Sequence, residues 1–541
     1  MTSAPKNGRR LLAVVAGTAA VALALVGCAG AGSGTAVAKS LIVGTTDVVT
    51  FLDPAGSYDN GSLAVQTQVF PYLFDSPVGS STPTPDIAAS GSFTSPTQFT
   101  VKLKKGLKFA NGHDLTSSDV KFSFDRQTKI ADPNGPSYLL ANIATTAAPD
   151  PLTVVFTLKA PNDQTFVGVL SSPAGPIVDE QVFSPDKVTS DADIVKGKAF
   201  AGQYSISSYK FNNLVRFTAF AGYKGNKGVA KTQNVDLKYY TSASNLKLDV
   251  QQGNIDVAYR SLSATDVASL KGDKNVKVHL GPGGEIRYIV FDFDTQPFGT
   301  KTANADPAKA LAVRQAAADL IDRDAIATQV YKGTYTPLYS YVPQGVDGAT
   351  TVLKDLYGTN GKPDAAKAKA ALDAAGVATP VKLSLQYVQD GHYGPSSAEE
   401  YALVKSQLEA TGLFAVDLKA TEYVTYNKDR VKDVYPAYQL GWFPDYADAD
   451  NYLSPFFSKS NFLVNHYDNA EVQAAITKEA TETDPAARKA EIQDVQAKVA
   501  ADLSTLPLLQ GSQVAVAGSK VQGVTLDGSF KFRFGGLYKS K

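Results

Sequence analysis

The only cysteine of this chain, Cys28, stands directly behind an apolar run from Leu11 to Val26 that Lys6, Arg9 and Arg10 precede. One cysteine excludes an internal disulfide framework, so burial of apolar surface must hold the fold together. A basic start, a short apolar stretch and a small-residue cleavage site make a secretory signal over residues 1–28. The run is shorter than the ~20 residues that cross a bilayer comfortably, which disfavours a spanning anchor. Residues 29–40 are mostly small and read as a flexible tether. The folded part is therefore expected to begin near Leu41 and to lie outside the cytoplasm.

That folded part is too long for one ordinary core. A chain of 541 residues divides into two or more lobes. Hydrophobic residues at 44% and charged residues at 19% fit a globular protein and exclude a disordered or multi-spanning one. Lys plus Arg and Asp plus Glu both number 52, so no charge excess points to nucleic acid as a partner.

Strand and helix patterns alternate along the chain, which makes the class α/β. Leu41 to Gly44, Phe99 to Leu103, Val154 to Leu158, Val235 to Tyr240 and Ile289 to Phe293 read as strands. Ser62 to Phe70, Ala308 to Ile321 and Pro363 to Ala375 read as helices. The last places Pro363 near its first turn and Gly376 at its end, the usual asymmetry of helix termini. Thr116 with Asp119 three residues on predicts a capping box opening another helix. The pattern alone does not locate a lobe boundary.

The segment Phe99-Thr-Val-Lys-Leu-Lys-Lys-Gly-Leu-Lys-Phe109, then Asn111-Gly112, Leu115 to Val120 and Phe122-Ser123-Phe124, resembles the peptide-, oligopeptide- and nickel-binding family of ABC-importer receptors, family 5. Further segments are similar to the same family in the same order. They are Leu248 to Ala258, Phe291 to Phe298, Val313 to Arg323, Asp364 to Gly376 and Gly441 to Tyr452. Three places depart from it: Asp294 stands for the usual Asn, no residue separates Gln296 from Pro297, and Phe200 to Tyr204 lacks the usual Gly-Thr-Gly-Pro-Tyr. Cys28 behind Leu25-Val26-Gly27 likewise resembles the bacterial lipobox, which implies lipidation of Cys28 and attachment at the outer face of the cytoplasmic membrane.

The resemblance implies a two-lobed, periplasmic-binding-protein-like α/β fold with an extra subdomain in the first lobe. Lobe I would span 41–299, with the subdomain at about 87–199. Lobe II would span 300–510, and 511–541 would return to lobe I. It implies a monomer without cofactor or catalysis that captures a short peptide between its lobes and delivers it to the transmembrane subunits of an ABC permease. Asp445 would then pair with the ligand's α-ammonium. Trp442, Phe443 and Tyr446 would form an aromatic wall, and Ser57 and Tyr58 would border the cleft. Some members hold the ligand carboxylate with an Arg at the position of Gln439, others with an Arg in the segment Tyr387 to Tyr393. Neither is present here, and Gln does not replace a guanidinium fork. Arg287 is the substitute cation proposed from sequence, with Tyr387 and His392 as further cleft residues. The alternatives are a peptide of different length or a ligand without that carboxylate, such as a nickel or other metal chelate.

Direct metal coordination has little support, because His113, His279, His392 and His466 show no chelating spacing. Ser118-x-x-Lys121 lacks an accompanying Lys-Thr-Gly, so a secreted hydrolase is disfavoured. An adhesive surface lipoprotein would share the signal and tether but would not need the ordered family segments.

Overall fold

The computed structural model describes residues 40–260 and 262–540. Cys28, the signal and nearly all of the tether lie outside the described residues. Eleven strands among the described residues form one continuous sheet. They are β1 (Leu41–Thr45), β2 (Tyr204–Lys210), β3 (Leu214–Ala219), β4 (Asn234–Tyr239), β5 (Val257–Tyr259) and β6 (Val276–Phe291), followed by β7 (Tyr335–Pro337), β8 (Val381–Val388), β9 (Phe414–Thr421), β10 (Ala437–Trp442) and β11 (Thr505–Gly518). Their order is β9-β8-β10-β6-β11-β5-β1-β4-β3-β2, with β7 paired to β11.

Two lobes share this sheet through the long antiparallel pair β6 and β11. One half of the pair runs from Val276↔Gly518 to Gly281↔Gln513, the other from Glu285↔Gly511 to Val290↔Thr505. The first half packs Val276 and Val516 against Leu246, Val250 and Leu270. The second half packs Ile289, Val290, Leu506 and Leu509 into a separate large core with Leu385, Tyr401 and Leu440. Between the halves the register breaks at Pro282-Gly283-Gly284. A β-carbon on Gly283 would sit 1.3 Å from Gly511 O, so only glycine lets the strands pass this closely. Gly283→Ala is expected to lower stability by about 1–3 kcal/mol or more. Gly272, with open space around its Cα, should accept alanine within about 0.5 kcal/mol, and paired thermal melts compare the two.

The sequence reading recovers only the end of β6. Its Gly281-Pro282-Gly283-Gly284 interior looks like a turn, yet it carries the crossing. The helix expected from Pro363 is also shorter, Ala365–Ala374, capped by Asp364, whose carboxylate accepts from Lys367 N at 3.0 Å. Pro363 lies outside the cap. The predicted capping box is present: Asp119 Oδ2 accepts from Thr116 N at 2.8 Å, and Thr116 Oγ1 accepts from Ser118 N at 3.2 Å.

That helix, Ser117–Ile130, belongs to the small subdomain of the first lobe. There a four-stranded sheet (Ala88–Ser95, Gln98–Leu103, Thr153–Leu158, Ile143–Asp150) encloses Phe99, Phe124, Phe156 and Phe166. Phe166 meets Phe99 and Phe156 edge-on at 5.3 and 5.4 Å, the arrangement aromatic quadrupoles favour. Arg126 on the same helix is buried and forks onto Asp53, Nη1 to Oδ1 at 2.9 Å and Nη2 to Oδ2 at 2.5 Å. Among the described residues no helix is long and apolar enough to cross a membrane.

Candidate functional site

Each lobe has a set of parallel strands, and the two sets run in opposite directions across the shared sheet. β1 runs parallel to β4 and β5, and β8 runs parallel to β9 and β10. The carboxyl ends of such strands are where side chains can converge without disturbing the ladder. Asp47 follows β1, Arg260 follows β5, His392 and Tyr393 follow β8, and Trp442 ends β10. All of them line one cleft of 790 Å³ between the lobes.

Asp445 lies three residues beyond β10, at the border between the lobes. Asn451 fixes its turn: Asn451 Oδ1 accepts from Asp445 N at 2.8 Å and from Trp442 Nε1 at 3.1 Å. The Asp445 carboxylate is buried and accepts from Asn451 Nδ2 at 3.3 Å and from the Tyr58 hydroxyl. The Tyr138 hydroxyl lies 3.4 Å from its other face and 2.9 Å from the Tyr58 oxygen. Among the described residues no Lys, Arg or His forms an ion pair with it. Burial pushes its pKa up to about 6, against the opposing pull of the Tyr58, Asn451 and Tyr138 hydrogen bonds.

The neighbouring aspartates differ. Asp448 takes both Nη groups of Arg488, at 2.9 and 2.8 Å. Asp450 faces Ser454 and the buried Glu479. Asp445 is thus not one more member of an acidic surface stretch. It is a buried carboxylate left to hydroxyls and an amide.

Tyr58 reaches Asp445 because its loop is pinned at both ends. Asp53 accepts from Ala55 N at 2.9 Å and is itself gripped by Arg126. Asp59 caps the helix Asn60–Val69 by accepting from Ser62 N at 2.8 Å. Tyr138, on the short turn Ser137–Leu140, meets Tyr58 edge-on at 5.9 Å. Both rings are substantially exposed, so a ligand can displace them.

The remaining sequence candidates separate. Trp442 lines the cleft and packs edge-on against Phe456 at 5.1 Å. Phe443 also lines it, with the Arg260 guanidinium 4.7 Å from its ring centroid. His392 lines it too, stacked on Tyr423 at 3.4 Å, and burial lowers its pKa. Tyr446 instead packs against Gly168 and the subdomain core. Ser57 is buried behind its loop, bonded to Asp53 O and Gln66 Nε2. Tyr387 stacks on Tyr401 within the second lobe. Arg287 borders the cleft but is 1% exposed, with Nη1 on Glu400 at 2.8 Å and Nε 3.5 Å from Glu285.

Sequence reasoning missed Tyr138, Asn451, Arg260 and Glu400. Asn451 lies inside the segment Gly441 to Tyr452 and was open to recognition there. Arg260 follows the segment ending at Ala258 by two residues, and its position at a strand's carboxyl end was the available signal. Of the four histidines only His392 borders the cleft. His466 instead lies with Asp292 and Asp433 in a group whose ligand atoms are within 4.8 Å of one another. Lys301 already sits there, at 2.8 Å from Asp433 and 2.9 Å from Asp294.

Residues 82–463 match the model of a family described as bacterial extracellular solute-binding proteins, family 5 Middle. The glutathione-binding protein GsiB of Salmonella typhi is 24% identical over 508 residues, covering 92% of this chain and 94% of that protein. Among solved structures, the periplasmic binding protein DppA from Helicobacter pylori in complex with the peptide STSA superposes with a TM-score of 0.74 at 20% identity, covering 93% of this chain and 98% of the other. NikA from Staphylococcus aureus in complex with Ni(L-His)2 superposes with a TM-score of 0.71 at 18% identity, covering 93% and 100%. At these identities the structural likenesses establish the two-lobed fold.

Proposed function

The chain belongs to family 5 of the bacterial extracellular solute-binding proteins, and from that premise we propose that it captures short peptides between its lobes and delivers them to the permease of an ABC importer. The observation that carries the reading is Asp445, a buried carboxylate between the lobes with no cationic partner among the described residues. A desolvated carboxylate is costly unless a cation offsets its lost hydration. Every unblocked peptide brings such a cation at its α-amino end. The Tyr58 and Tyr138 hydroxyls, both from the first lobe, would then give way to an ammonium or share the carboxylate with it.

The same reading places lobe I at 41–299 and lobe II at 300–510, with 511–541 returning to lobe I. The core built from Leu41, Val43, Phe217, Ala515 and Phe534 supports this. Asp445 already meets Tyr58, rotation about the β6–β11 crossing would open and close this contact, and a ligand touching both sides favours the closed form. Lipid on Cys28 would hold the receptor beside its permease, and two acyl chains anchor far more firmly than one. GsiB is named for glutathione and the DppA structure holds the peptide STSA, and a cleft with a single histidine, itself stacked on Tyr423, suits a peptide better than a metal held by protein side chains.

Native mass spectrometry of the protein lacking residues 1–28 tests the proposal. Co-purifying peptides of one length are expected, whereas a single non-peptide species such as a metal chelate would overturn it. The pH profile gives a second check. Asp445 titrates near pH 6 without ligand, and an ammonium beside it would hold that pKa lower. Binding then releases a proton below pH 6, and affinity should fall about tenfold per pH unit there. Above about pH 8 the peptide's own α-amino group loses its charge, so affinity should fall on that side as well. Calorimetric titration from pH 4.5 to 9 reads both limbs.

A further inference from the structure

The first-lobe wall of the cleft carries a guanidinium whose fork is unused. Arg260 sits at φ +60, a left-handed conformation that side chains other than glycine and asparagine seldom adopt. Its backbone N donates to Val514 O at 3.1 Å, which fixes it on β11 beside the crossing. Its Nε lies 3.0 Å from Asp47 Oδ2, within ion-pair distance but without hydrogen-bond geometry. No hydrogen bond from its Nη nitrogens is found among the described residues. Phe443, from the second lobe, lies beneath the guanidinium at 4.7 Å. A planar guanidinium can lie on a ring and still present donors to a carboxylate in its own plane.

The other cleft arginine is differently placed. Arg287 has Glu400 and Glu285 around it, two carboxylates for one guanidinium, and the Tyr331 hydroxyl bonds the same Glu400 oxygen at 2.7 Å. A third carboxylate arriving there would meet net negative charge. Arg260 has one carboxylate within ion-pair distance, Asp47, whose side chain is 24% exposed and so partly screened by water, and Glu285 acts on it from further off.

We propose that Arg260 receives the α-carboxylate of the bound peptide, so that the carboxylate anchor of this receptor lies on the first lobe and is completed by Phe443 when the lobes meet. The inference rests on the peptide reading above. It accounts for the absence of an arginine at Gln439 and in Tyr387 to Tyr393. Phe443 precedes Asp445 by two residues, so one short segment of the second lobe lies against both ends of the ligand.

The test is calorimetric titration of alanine peptides of two to five residues, each as free acid and as C-terminal amide, against the wild type, Arg260→Gln and Arg260→Lys. In the wild type the free acid is expected to bind about ten- to a hundredfold more tightly than its amide. Arg260→Gln should bring the acid-to-amide affinity ratio down to about one, and a cooperative thermal melt shows that the variant is folded. Arg260→Lys should keep part of the preference, and this serves as the readout if Arg260→Gln does not fold. An acid-over-amide preference that survives both substitutions in full overturns the assignment while leaving the peptide reading intact. If no peptide binds the wild type, the peptide reading falls and the carboxylate role falls with it.

Discussion

Asp445→Ala is expected to lower peptide affinity by about 3–5 kcal/mol, roughly 150-fold to a few thousandfold, read by calorimetry at pH 7.5. The size follows from what the truncation leaves behind. The ligand's ammonium would enter a region where the remaining partners are the Tyr58 and Tyr138 hydroxyls and the Asn451 amide. None of these carries a charge to replace the lost one. Acetylating the peptide's α-amino group should cost the wild type a similar factor and the alanine variant nearly nothing, because only the wild type has a charge pair to lose. Equal sensitivity of both proteins to acetylation would show that the ammonium lies elsewhere.

The same residue should trade stability for binding. Burial raises the Asp445 pKa to about 6, above its unfolded value near 3.9. A carboxyl raised in the folded state penalises folding where it is charged, above pH 6, and the penalty fades as pH falls through 6 towards 4. Asp445→Asn, which keeps the shape without the charge, should therefore melt higher than the ligand-free wild type at pH 7.5 and about level with it at pH 4. Functional sites commonly carry such a cost.

What the sequence makes legible divides by range. Local devices read correctly: the Thr116–Asp119 capping box needs only four residues, and the alternation of Phe99 to Leu103 needs five. The crossing strand does not, since Val276 pairs with Gly518 and Glu285 with Gly511, far along the chain. Its central glycines therefore look like an ordinary turn until the partner strand is known. The site behaves in the same way. Asp445 was recognisable from the segment Gly441 to Tyr452, but the hydroxyls over it come from residues 58 and 138. Arg287 was open to reading as a free cation because Glu400, 113 residues away, is silent until the fold brings it near. Tyr446 was placed beside Trp442 and Phe443 and Ser57 by the family's equivalent loop, yet each packs away from the cleft.

Asp75→Ala is expected to destabilise the protein by about 3–5 kcal/mol, and the deficit should shrink as pH rises. Asp75 is fully buried in the first lobe, with Lys227 Nζ at 2.8 Å, Lys531 Nζ at 2.7 Å and Arg533 Nη2 at 3.6 Å. Burial alone would push its carboxyl up, but the three cations outweigh burial and hold it well below the usual carboxylate range. A carboxyl depressed in this way contributes stability that is complete above its unfolded pKa, near 4, and is lost as pH falls further. Lys531 and Arg533 belong to the returning C-terminal segment, so this one carboxylate ties the end of the chain to the strand Phe74–Asp75 near its start. Removing it leaves buried cations with no counter-charge, and burial already lowers the Lys531 ammonium pKa. Raising the pH would let that ammonium shed its proton in the folded state, which recovers more stability in the variant than in the wild type, where Asp75 offsets part of the penalty. Urea denaturation of both proteins at pH 7 and pH 9.5 measures the gap. A gap that stayed constant between the two would mean that Asp75 acts through packing alone, and that the tail is held by something other than charge.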